Sequence, residues 1–220
     1  MTEASYTAAV NLAAGGLLLS AVLIVWRREL RAIVALLSAQ GIALAAIPLI
    51  DGLYHSEGLL VGLGAGVLLL RAAVLPGVLY HLVTRQVPAR RESMPVLGTS
   101  LSLLITALLT VVAFALTRPI VNLQSTVSST AVPVSFAVVF IGIQVMATRR
   151  RALSQTVGFL MVDNGITSAA FLLTSGVPLV VELGASLDVL LVALILAALA
   201  RRVQAAFGDT NVGDMRELRY

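Results

Sequence analysis

The stretch QTVGFLMVDNGITSAAFLLT, residues 155–174, is 20 residues long and carries one formal charge, Asp163. About 20 consecutive, mostly apolar residues are what an α-helix needs to cross the hydrocarbon core of a bilayer. The reading is therefore a transmembrane helix with an acid near its middle. Such a carboxylate costs about 2.5–3.5 kcal/mol on insertion scales, so it must face protein or water. Six further apolar runs lie at about 7–26, 32–50, 59–83, 96–116, 131–147 and 177–200. Together they predict an all-α fold: a polytopic membrane helix bundle of about seven transmembrane helices.

Composition agrees. The 220 residues are 59% hydrophobic and 12% charged, with a mean hydropathy of +0.99. A soluble domain of this length carries about twice that share of charge. There is no cysteine, so thiolate ligation of nickel or of an iron–sulfur cluster by this chain is excluded. The two histidines, His55 and His81, fall at or near segment ends, and no cofactor or metal is expected. No Ser/His/Asp arrangement occurs, so the chain carries no catalytic constellation of its own. The N-terminus lacks a basic n-region and an A-x-A cleavage signal, and a retained first helix is expected.

The net charge of +4 comes from 15 arginines, with no lysine, against 11 acids. Most of the arginines flank the apolar runs, which points to topology and anionic head groups, not to nucleic acid. Arg27, Arg28 and Arg31 follow the first span. Arg85, Arg90 and Arg91 follow the third, Arg149, Arg150 and Arg151 the fifth, and Arg201 and Arg202 the seventh. The opposite loops hold only Arg118. This asymmetry puts the N-terminus outside and the C-terminus in the cytoplasm, in a cell (inner or plasma) membrane.

A weak internal echo divides the chain. Residues 30–47, LRAIVALLSAQGIALAAI, resemble RALSQTVGFLMVDNGITSAAF at 151–171. The alignment sets Gly41 on Gly165, Ile42 on Ile166 and Ala39 on Asp163. The expected organisation is a three-helix unit over 1–95, a linking helix with an interfacial segment over 96–130, a second three-helix unit over 131–202, and a cytoplasmic tail over 203–220. Two such units would run parallel, as transporter repeats do.

Four ionisable residues fall inside spans: Arg71, Asp163, Glu182 and Asp188. Glu182 and Asp188 are separated by about 9 Å of rise and about 120° of rotation, so they are not one carboxylate pair. Asn164, beside Asp163, supplies both a donor and an acceptor. Intramembrane acids of this kind mark proton or cation paths, or else pair with a buried cation. Asp163, Glu182, Asp188 and Asn164 are the path candidates. Arg71, which does not release its proton, is the candidate charge partner. Glycines at 15, 16 and 62–66 read as close helix contacts. Pro76 and Pro133 read as helix kinks or starts.

Four stretches carry a family resemblance: GFLMVDNGI at 158–166, VVELGASLDVLL at 180–191, residues 30–47, and LLLRAAVLPGVLYHLV at 68–83. They resemble component E of the hydrogenase-4 and formate hydrogenlyase group. The second half of that family is similar to subunit K of respiratory complex I and to a small membrane subunit of Mrp-type cation antiporters. The resemblance covers most of the chain, the seven-span layout and the DMRELRY tail included. It implies a membrane-arm subunit beside large antiporter-like membrane subunits, lining a proton route. The nickel–iron and iron–sulfur redox subunits would attach at the cytoplasmic face. Family members usually carry glutamate where this chain has Asp163, and lysine where it has Arg71. Glu182 and Asp188 match the family block directly. A lysine gives up its proton when buried, whereas an arginine does not, so no relay through position 71 is expected.

Overall fold

The computed structural model describes residues 2–85, 97–123, 128–149 and 152–174, all within one compact unit that spans Met1–Pro178. The last expected span, 177–200, and with it Glu182 and Asp188, lies outside the described residues, as does the tail.

Every regular element among the described residues is helical. Helix α1 is Glu3–Trp26 and α2 is Leu30–His55. Helix α3, Gly58–Val67, runs through a π-helical turn, Leu68–Val74, into α4, Leu75–Arg85. Helix α5 is Thr99–Leu123. A 3₁₀ turn, Ser128–Ala131, leads into α6, Val132–Thr148, and α7 is Ala152–Thr174. Six stretches among the described residues are long and apolar enough to cross a membrane; α3, the π turn and α4 to His81 count as one.

The helices outrun the expected spans where polar residues find partners. The segment DGLYHSEG was expected to be a connection, yet α2 continues to His55. The Tyr6 hydroxyl on α1 donates to Asp51 Oδ1 at 2.9 Å, and His55 sits 3.2 Å from the same oxygen. The tyrosine rings of residues 6 and 54 stack at 4.4 Å. The segment from Thr117 to Leu123 was likewise expected to leave the helix, but α5 carries on through Pro119. Thr117 returns its hydroxyl to the Ala113 carbonyl one turn back, at 2.7 Å, so its buried polar group is satisfied within the helix itself.

Packing is antiparallel along the chain. In the α1–α2 hairpin, Gly16 meets Ala43. Helix α2 packs on α3 where Gly52 lies against Leu60 and Val61, and Gly64 against Leu49. The most extensive seam joins α6 to α7. A Cβ at Gly142 would lie 2.8 Å from the Gly158 carbonyl oxygen, and one at Gly165 would lie 2.8 Å from the Ser135 oxygen. Membrane helices approach this closely only over small residues. Gly142→Ala is therefore expected to cost about 1–3 kcal/mol, because backbone must move. Gly15, Gly62 and Gly66 were expected to be contact glycines, but each faces open space. Gly62→Ala should be neutral or raise stability by up to about 1 kcal/mol through helix propensity. Thermal unfolding of the two variants in detergent compares them.

Helices α1 and α6 touch, as do α2 and α7. Helix α5 lies against α6, where the Gln144 side chain holds the Ser102 carbonyl at 2.7 Å and the Thr106 hydroxyl at 3.0 Å. Much of the rest of α5 is open, with Leu104, Leu108, Val111 and Leu116 exposed. In a bilayer such a face meets lipid or another apolar surface.

Candidate functional site

A polar cluster lies at mid-length in the bundle, where the π turn, α7, α2 and α1 meet. Arg71 is at the centre of the π turn, and its side chain is 1% exposed. Its Nη2 lies 2.7 Å from Asp163 Oδ2 and donates to Thr167 Oγ1 at 3.0 Å. Its Nη1 donates to Asn164 Oδ1. Asn164 Nδ2 in turn donates to Gln40 Oε1 at 3.0 Å, and Gln40 Nε2 reaches the Leu17 carbonyl at 3.4 Å. A guanidinium only donates, so the Asn164 amide must turn its oxygen to Arg71 and its NH₂ to Gln40. The Gln40 amide is oriented by the same logic.

Helix α7 supplies this site because of its spacing. Residues 163 and 167, and residues 164 and 168, are one helical turn apart, so each pair shares a face. One pair, Asp163 and Thr167, meets the Arg71 Nη2. In the other, Asn164 faces α2 and Ser168 pairs with Ser135 of α6 at 2.8 Å. Gln40, Asn164, Ser135 and Ser168 are all buried, whereas the Asp163 side chain keeps 15% exposure.

This arrangement has a chemical direction. The described partners besides Asp163 are a guanidinium, two primary amides and the Thr167 hydroxyl, and neither the guanidinium nor the amides pass a proton on. Among the described members Asp163 is the one carboxyl group, and its side chain is more open than that of Arg71. The amide side of the cluster, from Asn164 to Gln40, is thus a hydrogen-bonded dead end.

Of the residues singled out in the sequence, Arg71, Asp163 and Asn164 come together here. Sequence reasoning missed Gln40 and Thr167. Gln40 left a trace: it precedes Gly41 as Asn164 precedes Gly165, so the internal alignment superposes the two amides that bond to each other. Arg149 was also read too simply, as a flanking topological charge. It is 6% exposed, and its Nη2 donates to the carbonyls of Val25 at 2.9 Å and Arg27 at 3.0 Å. A small cavity lined in part by Arg28, Thr99, Gln144 and Arg149 includes no residue of the Arg71–Asp163 cluster.

Among known proteins, the chain is 54% identical over 219 residues to an uncharacterized protein of Mycobacterium tuberculosis, Rv0085, covering the full length of both. The chain belongs to the Rv0085 family. Further away, it is 21% identical over 211 residues to hydrogenase-4 component E of Escherichia coli K12, across 96% of this chain and 97% of that one. Hydrogenase-4 component E of Shigella flexneri matches over the same span at the same identity. No family model and no solved structure matches the chain.

Proposed function

We propose that this chain is an integral membrane subunit of a hydrogenase-like, complex-I-related assembly, and that it helps to line a proton or cation path coupled to redox chemistry in partner subunits. The observation that carries the reading is the buried Arg71–Asp163 pair at mid-bundle, open only at the acid. The full-length likeness to hydrogenase-4 component E supports the assembly class. In this reading Asp163 takes a proton from its exposed side, and Glu182 and Asp188 are further acids of the path. Arg71 stays charged throughout and Asn164 orients the pair. The finer elements belong to the same proposal. They are seven spans, an external N-terminus, two parallel three-helix units over 1–95 and 131–202, a second unit akin to complex I subunit K, and nickel–iron and iron–sulfur partners at the cytoplasmic face.

A second reading is favoured by the dead-end character of the inner hydrogen bonds. There, the cluster only locks four helices together, and the chain is a scaffold that anchors the complex without moving ions.

The deciding variant is Arg71→Met with Asp163→Leu, which removes both charges and fills the space. Redox-driven proton movement is measured in inverted vesicles that hold the whole complex. Path-lining requires that movement to fall to background while the complex stays assembled on native gels. Unchanged movement would sink the path reading in favour of the scaffold. Loss of partner subunits from the gel band, with this chain still at its normal level, would also favour the scaffold.

A further inference from the structure

Arg71 reaches Asp163 from a turn that is not α-helical. Within Leu68–Val74 the Leu75 N–H closes on the Leu70 carbonyl, five residues back. A π turn holds one residue more than an α turn, and such turns are rare. Three neighbours account for this one. Pro76 has no N–H, so it cannot close an α turn on the Ala72 carbonyl four residues before it. The Ala72 carbonyl instead accepts a hydrogen bond from the Ser38 hydroxyl on α2. One turn along α2, Gly41 is the bed for the widened backbone. A Cβ there would lie 2.5 Å from the Arg71 carbonyl oxygen and 2.6 Å from its carbon.

The extra residue also solves a facing problem. Helix α3 is tied to α2 through Gly64 against Leu49, and α4 through Tyr80 beneath the Arg31 guanidinium at 5.9 Å. Removing one residue from the turn rotates one of these helices against the other by about 100°. In an uninterrupted α-helix, Arg71 could not face α7 while both contacts held.

We infer that Ser38, Gly41 and Pro76 are positioning residues that hold the π turn and thereby aim the Arg71 guanidinium at Asp163. This deepens the reading of Asp163 as the ion-handling group, but it is tested on the carboxylate itself.

The full chain is reconstituted in lipid nanodiscs. The infrared carboxylate band of Asp163 is identified by its loss in Asp163→Asn. Gly41→Ala should shift that band strongly, because the new Cβ displaces the Arg71 backbone. Ser38→Ala should shift it in the same sense, and Ser38→Thr, which keeps the hydroxyl, should restore the wild-type position. Pro76→Ala should broaden the band as α and π registers compete. Helical circular dichroism checks that each variant is folded. The Ser38 pair is mild enough to decide the matter should Gly41→Ala fail to fold. A band at the wild-type position in folded Ser38→Ala would overturn the inference, as would a failure of threonine to rescue it. A shifted band in Ser38→Ala with undiminished proton movement in the whole complex would leave this inference standing and count against the path reading alone.

Discussion

Asp163→Leu alone is expected to destabilise the bundle by about 3–5 kcal/mol, and adding Arg71→Met is expected to return most of that loss. Removing one partner of a buried ion pair leaves the other charge desolvated and uncompensated, which costs about that much. Arg71 is the worse residue to strand, because its side chain is 1% exposed against 15% for Asp163. Its bonds to Asn164 and Thr167 remain in the single variant, but these two partners are dipoles and do not replace the carboxylate charge at 2.7 Å. Replacing both charges by apolar side chains of similar volume is often neutral or stabilising. Thermal unfolding of wild type, both single variants and the double variant in one detergent gives the coupling energy directly. Additive single effects would mean that the 2.7 Å contact contributes nothing. The same series separates stability from function, since a double variant that is stable yet inactive in proton movement has lost the chemistry and kept the fold.

The fold class was legible because membrane helices announce themselves by length and apolarity, and bilayer thickness sets the length. Their ends were less legible. Asp51 and His55 read as a loop in sequence because their partner, Tyr6, lies 45 residues away. For the same reason the cluster was only half visible. Arg71 and Asp163 stood out because a charge in an apolar run is conspicuous. Gln40 did not, being a neutral amide in a helix with many small residues. The π turn was hidden for a different reason: Pro76 marks a break in any helix, but the compensating Ser38 and Gly41 lie on another helix. The internal alignment nevertheless put Gln40 opposite Asn164, the two amides that bond across α2 and α7.

Arg149→Met is expected to lower stability by about 2–4 kcal/mol, whereas Arg28→Ala should change it by less than about 0.5 kcal/mol. Both arginines sit next to helix ends, and charge counting treats them alike. Their surroundings differ. Arg28 is exposed, and its guanidinium donates to the Thr99 hydroxyl at the start of α5, at 2.8 Å. Arg149 is buried against the last turn of α1, which has no basic residue of its own. The final carbonyls of a helix have no partner within it and carry the negative end of its dipole. Arg149 meets the carbonyls of Ile24, Val25 and Arg27 with one nitrogen. Its own carbonyl accepts from Gln155 Nε2 at 3.0 Å, which ties α7 into the same joint. One side chain thus caps α1 from the end of α6 and holds the two hairpins in register at their basic end. Removing it strands three carbonyls, and a methionine of similar length offers no donor. Unfolding in detergent measures both variants side by side. Equal stability of Arg149→Met and Arg28→Ala would reduce Arg149 to a topological charge and return the joint between the hairpins to apolar packing alone.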